Sequence, residues 1–552
     1  MTRKVLSFLV VLIIAFSIFA GCATQEGSPS PTPTVEPNAS QQPEESPTPE
    51  GPQEITLPIT DTLSTFNIWI PALAIKTGQS WGMQSPNDSL AYQELERRTN
   101  VHIDWIIPTE GGEAEHFNLT LVSDNLPDAF IGGQFGNAGY DSYIEDGFII
   151  DLRDLIEKYA PEYEALRTSA DDIRRLSMTD KGRVPYFQSV RLVMEPSFMG
   201  LLARQDWLDE VGYQGTPETY DEFHDMLVAL KDKASVAPLH LLSSAPGVSG
   251  LNEEFMAGFG VSRGFYQVDG KVKYGPIEPG FKDYLTLMNQ WYSEGLIDPN
   301  FYSRKGFLGG DMSNMIKGEF GVVFHLYTFI DVMEAVSTDE NFSLTPVPPP
   351  ALNKGDKRYI SYYGQPFDRL EGSTGTITTA CNDPVSMVKW FGYFFTEEGA
   401  LLASFGVEEA YDIVDGQAVP SELITNNPDN LDSNAANAKY GMSPLQPRLT
   451  NYDQVAIAPV SDKAKTAGKI WDYNREDKYN ITASLSVTAD DSADFSQLLN
   501  DIQTYVTENV ALFITGDKPL SEFDEFVDQI KSMNIDRCIE IQQDALDRFN
   551  AR

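Results

Sequence analysis

Between residues 87 and 133 the spacing of apolar positions switches repeatedly between helical and extended periods. Leu90, Ala91 and Leu95 share one helical face, and Asn87 or Asp88 is placed to cap a helix running to Arg98. Apolar and polar residues then alternate through V-H-I-D-W-I at 101–106, the period of a half-buried strand. A helical stretch around Phe117 to Val122 leads into L-P-D-A-F-I-G-G at 126–133, which reads as a second strand running into a turn. Short strands separated by helices predict an α/β fold with a largely parallel sheet, and such sheets gather ligands at the carboxyl ends of their strands. The glycine-rich loop 132–139 lies at one such end. Further along, T-Y-D-E at 219–222 matches a capping box, and Tyr220, Phe223, Leu227 and Leu230 follow on one face. Phe281, Leu285, Met288 and Tyr292 line another helix that Gly295 is placed to end. Ile535, Cys538, Ile539, Gln542, Leu546 and Phe549 predict a final amphipathic helix. No internal repeat is visible.

The first residues follow a different pattern. Arg3 and Lys4 precede an apolar stretch from Val5 to Ala20, shorter than the roughly 20 residues a spanning helix needs. A basic start, an apolar middle and small residues at the end describe a secretory signal peptide. Ala20-Gly21-Cys22 resembles the lipobox of bacterial lipoproteins, in which the cysteine thiol receives the lipid. That resemblance implies a leader of residues 1–22 and an anchor at Cys22 to the extracellular face of the cell membrane. Residues 23–54 are rich in Pro, Ser, Thr, Glu and Gln, too polar to bury a core, and predict a disordered tether. At about 3.1 Å per residue such a tether reaches roughly 90 Å.

Composition narrows the rest. The folded part, 55–552, exceeds one hydrophobic core and predicts two or more lobes. Apolar residues make up 41% of the chain and aromatic ones 11%, as in a well-packed protein. The formal net charge of −41 repels phosphate backbones, which argues against nucleic acid and for a soluble monomer. Cys381 and Cys538 are the only cysteines besides Cys22 and make no disulfide framework. They read as small buried residues, with one bridge left open.

Ordered blocks then point to a family. They are SDNLPD (123–128), DL (151–152) with IEKYAP (156–161), RQDWLD (204–209) and PETYDE (217–222). DGKV (269–272) with YG (274–275), YSEGLIDP (292–299), FFTEEG (394–399) and QDALDRF (543–549) complete the series. On these the chain resembles the large lipoproteins of extracellular solute-binding protein family 1, the carbohydrate-binding subunits of ABC importers in Gram-positive bacteria. The resemblance implies a type II clamshell of two discontinuous α/β lobes joined by a hinge. One lobe is expected at about 55–165 and 325–435, the other at about 180–315 and 445–552. It implies a carbohydrate ligand, an oligosaccharide held in a cleft between the lobes, and ABC permease subunits as partners.

Sugars present C–H faces and hydroxyl rims, so their sites need flat rings beside carboxylates, amides or Arg. The chain holds 7 Trp and 24 Tyr. Trp69 follows Phe66 and Ile68 but faces the other side of its strand, Trp81 lies in a polar loop, and Asp128 closes the L-P-D block. Tyr186 and Phe187 follow G-R-V-P at 182–185, read as a crossing between lobes. Arg204 and Asp206 belong to a family block, Asp206 doubling as a helix cap. His325 and Tyr327 end an apolar run; Tyr362, Tyr363, Gln365 and Phe367 form a polar-aromatic loop; Trp471 and Tyr473 sit in a second aromatic cluster. Each has a packing reading beside the binding one, and Trp291 and Trp390, at helical spacing among apolar residues, are expected in the core.

Two alternatives stay open: a binding protein for peptides or another small solute, and a secreted glycoside hydrolase. Among 81 acidic residues, pairs at hydrolase spacing arise by chance. G-V-S-G at 247–250 does not fit the serine-hydrolase elbow. The five His are scattered without zinc spacing, and no Gly-rich loop ends in Lys-Ser/Thr. The acidic run 490–494 lacks the glycine and final Glu of an EF-hand and reads as a turn before a helix capped near Ser492 or Asp494. No cofactor and no catalytic machinery are expected; a structural calcium elsewhere stays open.

Overall fold

A computed structural model describes residues 51–552 apart from 124, 134, 136–138, 242–252, 305–309, 363–364, 366–367, 453–456, 459 and 483. Cys22, most of the tether, Tyr363, Phe367 and the 247–250 loop lie outside the described residues.

Two sheets carry the fold. The first has six strands in the order β13-β4-β10-β3-β1-β2. They are β1 (Ser64–Trp69), β2 (Val101–Ile106), β3 (Ala129–Ile131), β4 (Phe187–Arg191), β10 (Leu370–Ile377) and β13 (Leu449–Thr450). β1 runs parallel to β2 and β3, whereas β10 is antiparallel to both β3 and β4. This sheet is therefore mixed rather than largely parallel, because the chain re-enters it from the other lobe through β10. The second sheet places β5 (Met199–Arg204) between β8 (Val322–Leu326) and β9 (Leu344–Val347), antiparallel to both. Two hairpins stand apart: β6 (Phe265–Val268) with β7 (Lys271–Tyr274), and β11 (Tyr411–Val414) with β12 (Gln417–Pro420).

Alternation along β1 divides the first lobe's packing between two faces. Phe66 and Ile68 join the main core with Phe187, Trp390 and Phe391, while Trp69 turns to a smaller cluster with Phe117 and Phe130. The second lobe's core gathers Phe223, Leu227, Trp291, Phe513 and Phe526 over one side of its sheet. On the other side, Trp471 packs with Leu202 and Val323. Trp291 and Trp390 are fully buried, as their helical spacing predicts.

Local signals also appear as read. The Thr219 hydroxyl accepts from the Glu222 amide at 3.2 Å while the Glu222 carboxylate accepts from the Thr219 amide at 3.2 Å. Gly295, at φ +68°, follows the helix Pro279–Ser293 and its C-cap Glu294, a backbone setting that L side chains rarely adopt. Two caps differ from expectation. Ser89 caps Leu90–Thr99, because Asn87 and Asp88 are drawn into a short turn capped by Ser85. Thr488 caps Ala489–Thr515, which places 490–494 inside the helix rather than in a turn before it.

The chain leaves the first sheet after β4 and returns at β10, with β5, β8 and β9 between, then leaves again after β13. The crossings therefore lie at about 192–198, 348–369 and 451–461. Residues 322–347, in large part expected in the first lobe, belong to the second sheet, and 187–191, expected in the second lobe, belong to the first. Residues 182–185 are not a crossing: the Leu152 amide donates to the Val184 carbonyl and the Val184 amide to Asp151, which holds this turn within the first lobe. At the first true crossing Arg191 and Glu195 form a buried ion pair at 2.5 Å. Cys538 lies in the second lobe's core and Cys381 against the first lobe's; both are free thiols.

Candidate functional site

A cleft of about 980 Å³ opens beside the first sheet. One wall comes from the short helix Gly139–Glu145, the loop 178–181, Tyr186 and Gln188 at β4, and Leu370, Gly372 and Thr374 of β10. The facing wall is the segment 484–490, which leads into the second lobe's long helix, together with Arg548 and Arg552. Val487 of that segment is buried in the second lobe's core, so the cleft lies between elements of both lobes.

Tyr140 is the aromatic centre of the cleft. Its ring lies 4.9 Å from Phe135 and 4.8 Å from Tyr186, the latter edge-on. The Tyr140 hydroxyl pairs with the Thr374 hydroxyl at 3.1 Å, and the Tyr186 hydroxyl donates to the Leu176 carbonyl at 2.9 Å. Burial pushes both phenols well above their ordinary range, so both stay neutral. The result is a rigid apolar wall with a hydroxyl edge.

Charge is distributed unevenly around this wall. Asp180 accepts from Arg548 Nε at 2.8 Å, from Arg552 Nε at 2.8 Å and from the Ser486 hydroxyl at 3.0 Å. Burial works against ionisation of Asp180, yet the two guanidiniums and Ser486 hold its carboxyl below the usual range. Lys181 pairs with Glu145. Asp141 accepts from the Thr179 hydroxyl at 2.8 Å and from the Lys181 amide at 3.2 Å. Asp368 accepts from the Thr482 hydroxyl at 2.8 Å. Burial, with Asp172 nearby, outweighs that bond and raises its carboxyl above the usual range.

Of the residues expected to hold a ligand, Tyr186 and Gln365 line this cleft. Gln365 is itself buried, its amide donating to the Trp471 carbonyl at 3.2 Å and its oxygen accepting from the Tyr362 amide at 3.2 Å. Others are placed in packing. Trp69 is fully buried against Phe117, with its indole donating to His116 Nδ1 at 3.0 Å. Trp471 is fully buried, donating to the Leu201 carbonyl at 2.9 Å. Arg204 forms a buried two-pronged pair with Asp206, at 2.8 and 2.5 Å, between the rings of Trp207 and Phe342. His325 is buried against Phe329 at 4.0 Å, and Tyr327 packs beside Trp471's cluster. Trp81 donates to the Ala435 carbonyl at 3.2 Å, away from the cleft. Asp128 accepts from the Asn67 amide at 2.7 Å and so ties β1 to the start of β3. Tyr140 and Asp368 were not singled out from the sequence. Tyr140 directly follows the glycine-rich loop at a strand end, and Asp368 directly follows the polar-aromatic loop; those positions were the available signals.

Among the described residues no group of three or more His, Cys, Asp and Glu side chains is placed to hold a metal. No described helix is long and apolar enough to cross a membrane.

Two α/β lobes, repeated crossings and a cleft bordered by both define the two-lobed solute-binding fold. No family model matches the chain. It is 21% identical over 521 residues to the fructooligosaccharide ABC transporter substrate-binding protein FusA of Streptococcus pneumoniae, covering 85% of this chain and 88% of that one. Its fold is similar to that of the alginate-binding protein AlgQ2, with a TM-score of 0.66 and 23% identity over 89% of this chain and 99% of the other. An extracellular solute-binding protein from Bifidobacterium longum subsp. infantis gives a TM-score of 0.70 at 18% identity, over 88% of this chain and 98% of that one. The resemblance read from the ordered blocks, and the clamshell it implies, are borne out.

Proposed function

We propose that the chain is the substrate-binding subunit of an ABC importer, anchored by lipid on Cys22 at the outer face of the membrane, and that it captures an oligosaccharide between its lobes. The cleft carries this reading: a rigid wall of Phe135, Tyr140 and Tyr186 offers ring faces and edges to sugar C–H groups, and carboxylates and hydroxyls flank it. FusA, matched along most of its length, is named for fructooligosaccharides, which supports the carbohydrate class. The chain contributes capture rather than chemistry: ligand touching both walls stabilises the closed form through its greater contact there. Closed protein then docks on a permease, which a separate ATPase drives.

Calorimetry on residues 53–552, which belong to one compact unit, tests this with an oligosaccharide panel and a peptide library. Heat from at least one glycan series, with the glycan recovered intact, is expected. Heat from peptides alone would replace the carbohydrate reading. Shorter glycans recovered afterwards would replace the binding reading with hydrolysis.

A further inference from the structure

We infer that the cleft selects neutral oligosaccharides over uronic-acid ones, with Asp368 as the carboxylate that accepts the ligand's hydroxyls. This rests on the oligosaccharide-capture reading and adds the charge class of the ligand. Among the described residues, the positive charges of the cleft are already committed. Its cations are Lys181, Arg548 and Arg552, and each faces a carboxylate of the same cleft. Arg552 is almost wholly buried and donates to the Arg175 carbonyl at 3.1 Å as well as to Asp180. Arg548 also donates to the Ser486 carbonyl at 2.6 Å. A uronate seeking a guanidinium here competes with Asp180 for both arginines.

The carboxylates are not matched in the same way. Asp141, Glu145, Asp180, Asp368 and Asp490 line the cleft, which leaves an excess of negative charge. Among the described residues Asp368 Oδ2 takes one hydroxyl donor, Thr482, and Oδ1 takes none, while Asp490 has no ion-pair partner. An ionised carboxylate has about four acceptor positions, so Asp368 keeps room for two sugar hydroxyls. A neutral sugar supplies those donors and relieves a partly desolvated carboxylate. A uronate instead brings a like charge into a confined, partly water-excluded space, where repulsion is screened less than in bulk water. The ring wall of Tyr140 and Tyr186 is indifferent to this choice, because both phenols are neutral and already hydrogen-bonded. Discrimination therefore falls to the carboxylates.

The test is calorimetric titration of the full chain in detergent. Neutral probes are malto-, xylo-, manno- and fructo-oligosaccharides. Acidic probes are oligogalacturonates and oligoguluronates, each also in carboxyl-reduced form. At least one neutral series is expected to bind, and each acidic probe to bind at least about tenfold more weakly than its reduced form. An acidic probe that outbinds its reduced form overturns this inference and leaves the capture reading standing; silence from every glycan overturns both. Asp368→Asn keeps the shape and is expected to weaken the best neutral probe by about tenfold while raising the acidic-to-neutral affinity ratio. Asp490→Asn, on an exposed first helical turn, is expected to raise that ratio alone. If neither substitution moves the ratio, the inference is wrong.

Discussion

At the scale of single residues, burial decides which titrating groups influence stability. Glu254, at the start of the helix Glu253–Met256, is buried, and burial pushes its carboxyl up to about 8, with Glu253 adding to the push. A group whose folded pKa exceeds its unfolded value stabilises the fold below the unfolded value, about 4.3, and loses that contribution as pH rises toward the folded one. Glu254→Gln imitates the protonated form. It is expected to leave the melting temperature at pH 4 nearly unchanged and to raise it by several degrees at pH 8, read by circular dichroism melts. The same principle explains why single candidate residues were hard to place from sequence. Trp69, Arg204, His325 and Trp471 have the chemistry of a sugar site, but short-range spacing does not say whether a ring points into a core or a cleft. Three of them found a partner distant in sequence: His116 for Trp69, Phe342 for Arg204, Leu201 for Trp471. Tyr186 lines the cleft although the crossing at 182–185 that pointed to it does not hold, because its ring meets Tyr140 from a distant stretch of the chain.

Elements were more legible than residues because their signals are short-range. The capping box at Thr219, the strand 101–106 and the stop at Gly295 each depend on a few neighbours. Sheet order is set by pairings far apart in the chain, such as β10 between β3 and β4, and so the mixed sheet and the true crossings were not readable from period. Close packing between such distant elements is testable at Gly200 in β5. A Cβ built there would lie 2.3 Å from the Trp471 ring, in the face of the helix Asp462–Trp471. Both partners are fixed, the ring by burial on all sides and the strand by β8 and β9. Gly200→Ala is expected to cost about 1–3 kcal/mol by overpacking. Urea denaturation followed by fluorescence should show a lower midpoint; an unchanged midpoint would mean that the contact relaxes freely.

Over the whole molecule, the last helix joins the two lobes. Its first half, with Ile535, Cys538 and Ile541, is rooted in the second lobe's core. Its far end seats Phe549 against the first lobe's core and holds Asp180 through Arg548 and Arg552, while Arg174 donates to the Arg552 carbonyl at 2.9 Å. The lobes are thus coupled at the cleft itself as well as through the three crossings. Because the guanidiniums hold the Asp180 carboxyl below its usual range, this coupling is present above the ordinary unfolded value, about 3.9, and is lost as pH falls through the folded one. Asp180→Asn removes the charge at every pH. The variant is expected to lose about 2 kcal/mol at pH 7, a modest figure because Arg548 remains partly hydrated, and little at pH 2. Ligand bound across the cleft works in the same direction as this cluster. Small-angle scattering should therefore show the wild type becoming more compact when an oligosaccharide binds, with the variant starting from a larger radius and compacting further. Equal radii for the two unliganded proteins would assign the cluster to local packing rather than to the geometry of the lobes.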